Sequence, residues 1–230
     1  MFKFCYQLYA LIYLTFLSIS CRYLATELCS GTLQDLVKER YTGPSVGSRL
    51  EGLRQVLKGI EHLHLLKIVH GDLKPTNILI SIPSGTVGPI IKLTDFGLRH
   101  SSKSFSLSGD RDREFTPAYT ESWIAPEPTL TFASDMFSFA LVCGFSLSDG
   151  RHPHGERDLE RIGRIKSYAP ILLTADQLKH VNPSAAAQVL ELIKFLLSKE
   201  ADLRPTAAQM LKHELFESES VSSTAFMQSK

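Results

Sequence analysis

Between Ile68 and Ile80 the chain reads IVHGDLKPTNILI: an apolar approach, then His70, Asp72, Lys74 and Asn77, then an apolar exit. Charged side chains are seldom buried without partners. This segment therefore predicts an extended stretch and a polar loop, anchored at both ends in the core, with its polar groups gathered at the core's edge.

The flanking sequence supplies the anchors. Ahead of the loop, Ser48 with Glu51 three residues on forms a capping-box signature. Leu50, Leu53, Leu57, Ile60 and Leu63 then follow at helical spacing. Behind the loop, NILIS, the turn IPSGTVGP and IIKLTDFG predict a β-hairpin. RYLATELCSG predicts a strand ending at Gly31, and TLQDLVKERY a short amphipathic helix. From Leu98 to Trp123 there is little periodicity and much Ser, Arg and Asp, which predicts a long loop. DMFSFALVCGFSL is apolar nearly all round and predicts a buried helix; SAAAQVLELIKFLLSKE and RPTAAQMLKHELF predict two more. The fold class expected is mainly α with a small β-hairpin.

Apolar residues make up 43% of the 230 residues, enough for a core. Lys plus Arg number 25 and Asp plus Glu 24, so the charge balance gives no case for nucleic acid or an anionic membrane as partner. Cys5, Cys21, Cys29 and Cys143 show no CxxC spacing, which argues against a zinc site and for reduced thiols. Phe4 to Cys21 is almost wholly apolar. Two readings stand: a membrane helix or uncleaved signal, or a leader foreign to the domain that follows. We take residues 1–20 as such a leader, 21–216 as the domain and 217–230 as a disordered tail.

In chain order, HGDLKPTN (His70 to Asn77), TDFG (Thr94 to Gly97), WIAPE (Trp123 to Glu127), DMFSF from Asp135 and LRP with Arg204 resemble the large, C-terminal lobe of a eukaryotic protein kinase. One DFG is weak evidence; the three motifs in order are strong. Phosphoryl transfer asks the protein for positioning and charge neutralisation more than for covalent chemistry. The resemblance implies Asp72 as the carboxylate receiving the proton of the attacking hydroxyl and Lys74 as a charge near the transferred phosphate. Asn77 and Asp95 would be oxygen ligands for Mg²⁺, and Thr120 would lie beside Asp72. It also implies ATP, held at a hinge of Glu27, Leu28 and Cys29 above a floor of Leu79. His70 is expected to pack structurally under Phe96, Glu127 and Arg204 to form a buried ion pair, and Asp135 to cap its helix while bonding the loop backbone around His70. His152 and His154 in RHPHGE are read as part of a solvated loop, as are Arg111 to Glu114.

RYLATELCSGTLQDLV, IVHGDLKPTNILIS, WIAPE and LSDGRHPHG narrow the resemblance to the kinases of inositol-requiring endoplasmic-reticulum stress sensors, with the 2-5A-dependent ribonuclease a near relative. It implies serine/threonine kinase activity, a protein substrate that includes a second copy in trans, and a homodimer in full-length members. It also implies a place at the endoplasmic-reticulum membrane on the cytosolic side, although this chain by itself can also be read as cytosolic. Ser104, Ser106 and Ser108 resemble the family's autophosphorylation sites. Three departures stand out. There is no G-x-G-x-x-G and no lysine between Lys3 and Lys38, so the hinge strand and large lobe are expected without a small lobe, and weak ATP binding with poor turnover, if any, is expected. No endoribonuclease domain follows, so RNA cleavage and direct nucleic-acid binding are not expected. Gly71 stands where the arginine of H-R-D would be, which weakens the coupling to activation-loop phosphate. Asp72, Asn77 and Asp95 in a catalytically impaired kinase-like binding module is the alternative.

Overall fold

The computed structural model describes residues 8–16, 19–86, 88–96 and 118–216. The expectations at Ser104, Ser106 and Ser108, at Arg111 to Glu114 and in the 217–230 tail lie outside these residues. Strands β1 (Leu8–Phe16) and β2 (Ile19–Thr26) form an antiparallel pair, with Phe16 opposite Ile19 and Leu8 opposite Thr26. Leu8–Phe16 is thus extended, not the helix that the membrane reading required; its Tyr, Ile and Thr content favours a strand. Among the described residues no helix is long and apolar enough to cross a membrane.

The second sheet has the order β3 (Gly31–Thr32), β4 (Ile78–Ser81), β5 (Ile90–Leu93), all antiparallel, with Thr32 opposite Leu79 and Leu79 opposite Lys92. β4 and β5 are the expected hairpin. Helix α1 (Leu33–Val37) starts at a reciprocal cap between Thr32 and Asp35 and stops short of the expected Tyr41, because Glu39 turns to φ 56°. Helix α2 (Arg49–Leu65) begins with Ser48 Oγ accepting the Glu51 amide at 3.0 Å, while the Glu51 carboxylate reaches forward to Arg54 and Gln55. Short helix α3 (Ala118–Glu121) ends the stretch expected as a loop. Helix α4 (Phe132–Leu147) follows; then come α5 (Asp158–Lys166), α6 (Ala186–Leu196) and α7 (Ala207–Leu211).

The core is built on α2 and α4. Leu53, Leu57, Ile60 and Leu63 of α2 and Phe137, Phe139 and Leu141 of α4 are all buried. Each such side chain contributes about 1.5–3 kcal/mol of transfer free energy. Near the end of α4, Gly144 lets the following loop press onto the helix: a Cβ there would lie 2.5 Å from Pro153 and 2.9 Å from Leu173.

That close approach overturns the solvated reading of RHPHGE for its middle residues, while Arg151 and Glu156 stay exposed. His152 and His154 are each only 2% exposed. His152 Nε2 lies 2.9 Å from the Ser122 carbonyl, its ring meets Trp123 edge-on at 4.7 Å, and its Nδ1 accepts the His154 amide at 3.1 Å. The local sequence is polar, but the loop is closed from outside by Trp123 and α4. Burial, aided by Arg164, pushes His154 down to about 4, and neither ring nitrogen has a hydrogen-bond partner. An unpaired buried polar group costs about 1–3 kcal/mol. His154→Phe is therefore expected to raise stability by roughly that amount at pH 7, read from the urea midpoint at unchanged slope. The sign with pH follows from linkage. Between the unfolded value of about 6.5 and the folded value, the unfolded chain takes up a proton that the native chain refuses. Stability thus falls as pH drops through that window, and the phenylalanine variant is expected to lose less.

Candidate active site

The polar loop is fixed from below by one buried carboxylate. Asp135, 1% exposed, sits in the first turn of α4. Its Oδ2 accepts the His70 amide at 2.8 Å and Oδ1 the Gly71 amide at 2.9 Å; His64 Nε2 lies 2.9 Å from Oδ2. The bonding to the loop backbone is as expected, but the helix cap is Thr131, whose amide donates to Ser134 Oγ at 3.0 Å. The sequence reading missed His64, which stacks on Phe132 at 4.3 Å and so faces Asp135. Gly71 lies at φ 75°, where a side chain is strained.

His70 is fully buried, and burial drives it below its ordinary value against the pull of Asp135 and Asp72. The neutral ring accepts the Asp72 amide on Nδ1 at 3.3 Å. It meets Phe96 edge-on at 6.2 Å and 69°, a T-shaped contact where stacking was expected.

Above this base the expected side chains meet. Lys74 Nζ donates to Asp72 Oδ2 at 2.8 Å and to Thr120 Oγ1 at 2.9 Å, so the lysine bridges the loop and α3. Asn77 Nδ2 donates to the Asp72 carbonyl at 2.9 Å and to Oδ2 at 3.1 Å. The Asn77 carbonyl accepts the Thr94 amide at 3.1 Å, which sets Asp95 just beyond the end of β5. Asp95 is exposed at φ 59°, a left-handed position that Asp tolerates better than most residues.

A comparison with known families adds to this geometry: residues 10–216 match the protein kinase domain. The chain belongs to the protein kinase domain family. The match begins ahead of Cys21, within residues 1–20, which were expected to be foreign to the domain. Over 205 residues the kinase domain is 36% identical to human serine/threonine-protein kinase/endoribonuclease IRE2, covering 84% of this chain and 21% of that protein. It is 32% identical over 200 residues to ire-1 of Caenorhabditis elegans (85% and 20%) and 38% identical over 173 residues to IRE1a of Arabidopsis thaliana (73% and 19%), both carrying the same descriptive name. The chain spans about a fifth of the length of these curated relatives. By family the chain is a protein serine/threonine kinase, and the resemblance read from its motifs holds.

The family implies ATP and a divalent metal, and the donors suit both. The Asn77 amide is oriented by its two Nδ2 bonds to Asp72, which leaves Oδ1 as the atom that could face a cation; Asp95 would add a carboxylate. Hard cations take such oxygens and complete their shell with water and phosphate. Among the described residues no group of three or more His, Cys, Asp and Glu gathers.

Around the hinge, the Glu27 carboxylate bonds the Lys92 ammonium at 2.6 Å, with side chains 11% and 7% exposed. Cys29 Sγ points to Glu27 at 3.8 Å, and Ser30 donates to the Ile80 carbonyl at 2.8 Å, which lays the hinge along β4. Leu79, the expected floor, is half-buried on β4. With the Glu27 side chain committed to Lys92, backbone atoms of Glu27 and Cys29 are what a nucleotide contact would use. The sequence reading missed this pair, although a lysine inside the apolar run IIKL was its signal. Glu127 and Arg204 form the expected ion pair; Arg204 also donates to the Ser198 and Ala133 carbonyls at 2.7 and 3.1 Å and lies 4.9 Å from the Phe137 ring.

Removing Asp135 leaves two buried amides and His64 without their acceptor. Asp135→Ala is expected to cost about 3–5 kcal/mol in urea unfolding and to speed hydrogen exchange at the His70 and Gly71 amides. A loss under about 1 kcal/mol with unchanged exchange would show that the loop is held some other way.

Proposed function

We propose that this chain carries the phosphoryl-transfer site of a stress-sensor-type serine/threonine kinase, using ATP and Mg²⁺ to phosphorylate protein Ser/Thr hydroxyls, a second copy of itself included. The observation that carries the reading is the convergence of Lys74, Thr120 and Asn77 on Asp72. Asp72 takes up the proton of the attacking hydroxyl, and its carboxylate is already turned by Lys74 and Asn77. Lys74 holds a positive charge where negative charge gathers on the transferred group. Thr120 fixes the far side of that ammonium and places the substrate-facing segment against the loop. Asn77 Oδ1 and the Asp95 carboxylate would hold the metal. When bound, Mg·ATP supplies the phosphoryl group and the cation that offsets its charge. Glu27 and Cys29 backbone atoms and Leu79 hold the adenine end. The chain contributes the hinge and large lobe and works as part of a homodimer at the cytosolic face of the endoplasmic-reticulum membrane.

The test is incorporation of phosphate from Mg·ATP into the full chain, read by intact mass and peptide mapping at Ser104, Ser106 and Ser108, beside Mg·ATP protection in thermal unfolding. Asp72→Asn is expected to cut incorporation by about 10²-fold or more, as loss of a general base does, while keeping the thermal shift. Asp95→Asn is expected to lose the shift as well, since a ligand that binds only the native state stabilises it in proportion to affinity. Neither incorporation nor shift at millimolar Mg·ATP, or full activity in Asp72→Asn, would overturn the reading.

A further inference from the structure

Ser122 is fully buried two residues beyond Thr120, and its carbonyl faces the ring of His152. We propose that His152 is a positioning residue for phosphoryl transfer. Through the Ser122 carbonyl it fixes the turn that carries Thr120, and so the hydroxyl that meets Lys74. This role rests on the phosphoryl-transfer reading of Asp72, Lys74 and Thr120.

The hydrogen-bond network assigns the donor. His152 Nδ1 accepts the His154 amide at 3.1 Å, so that nitrogen carries no proton. The neutral ring then has its hydrogen on Nε2. Nε2 lies 2.9 Å from the Ser122 carbonyl and donates to it. A second proton would sit on Nδ1 and face the His154 N–H, donor against donor. Burial keeps the ring well below its ordinary value, with help from Arg161 of α5 and from His154 of the same loop. Arg161 is held at that place by the Gly155 carbonyl, to which its Nε donates at 2.8 Å.

The two sides of this bond differ in how firmly they are built. The loop that carries His152 is tied down at several points. Ser148, itself buried, donates to the Gly144 carbonyl at 2.6 Å, the Gly150 amide to the Phe145 carbonyl at 2.9 Å, and the Leu172 amide to the Pro153 carbonyl at 2.7 Å. On the other side, α3 is four residues long. The Trp123 amide returns to the Thr120 carbonyl at 3.1 Å, which closes a turn with Ser122 inside it. The Ser122 carbonyl therefore cannot shift without carrying Thr120. Contacts from α5 to this segment are looser. Ser122 Oγ lies 3.4 Å from the Asp158 carboxylate, and Lys166 lies 3.6 Å from Glu121 in a pair 67% and 40% exposed. Such an exposed pair contributes little, whereas a buried carbonyl stripped of its donor loses the full value of its solvation. The short buried bond is the hold that matters most, and it runs to the rigid loop.

The test compares three substitutions of His152 in the full chain, with the Asp72→Asn chain as protein substrate. His152→Phe keeps a ring against Trp123 and removes both bonds. His152→Asn keeps an acceptor for the His154 amide and cannot reach Ser122. His152→Gln can donate its Nε2 to the Ser122 carbonyl. The phenylalanine and asparagine variants are expected to lower kcat/KM for the protein substrate by about tenfold, with KM for Mg·ATP unchanged. Glutamine is expected to restore most of that loss. Hydrogen exchange reads the same bond without any activity. Exchange at the Trp123 and Ile124 amides is expected to speed up by about tenfold in the phenylalanine and asparagine variants while α2 and α4 exchange as before, which separates a loosened turn from a lost fold. If the unaltered chain incorporates no phosphate, the phosphoryl-transfer reading fails by itself, and exchange still decides whether His152 holds the turn. Unmoved exchange at Trp123 and Ile124, full activity in His152→Phe, or equal losses in His152→Gln and His152→Phe would each overturn the assignment.

Discussion

The arrangement hangs on a carboxylate that never reaches solvent. Asp135 enters the core on α4, a helix apolar on every side, and a bare carboxylate there would be costly to desolvate. It is tolerated because the His70 and Gly71 amides and the His64 ring converge on it. Those bonds also decide the path of the loop. With both amides pointing down at Asp135, the chain leaves Gly71 in a left-handed turn, and the next residue is Asp72. His70, neutral and buried, then ties the Asp72 amide to its own ring. The aim of the central side chain is thus set by backbone bonds made two and one residues earlier.

A second buried charge performs a similar service for the hinge. Lys92 sits in a strand whose four residues are all buried, and Glu27 reaches in to meet it. Burying such a pair brings little net stability, since desolvation offsets much of the attraction. Its effect is positional: it ties the segment after β2 to β5, two residues before Thr94 and three before Asp95. Glu27 and Asp95, proposed for the hinge and the metal side, are therefore registered through one ion pair and one hairpin.

Periodicity made some of this legible. The leucines of α2, the apolar run of α4 and the β4–β5 hairpin follow from spacing alone, because each element buries a face that its own sequence marks. What failed depended on distant partners. RHPHGE reads as polar, yet its middle, His152 to His154, is buried by Trp123 and by Pro153 packing on Gly144, contacts that no local window contains. Helix α5 went unread because its only buried residue is Ile165, too little to set a period. Leu8–Phe16 has the composition of a membrane helix and the pairing of a strand; length and hydropathy do not separate the two when tyrosines and β-branched residues are interspersed. The meeting of Asp72, Lys74, Asn77 and Thr120 was expected from the motifs, while His64 and the Glu27–Lys92 pair were not, since a partner's identity lies outside its own neighbourhood in the chain.

Burial sorts the charged groups by task. Asp135 and Arg204 are 1% and 5% exposed, and each makes several bonds to backbone. They hold. The Asp72 and Lys74 side chains are 17% and 13% exposed, and Asp95 is more open still. At that depth a charge feels a lower effective dielectric than in water, so its interactions are stronger, yet it remains within reach of a solute. A deeper Asp72 would need permanent partners on all sides and would have no capacity left for the proton it is proposed to take. A shallower one would lose to solvent screening the lysine that turns it. The loop between two apolar anchors solves this by geometry: the anchors sink its ends, Asp135 fixes its floor, and the carboxylate is carried at the rim.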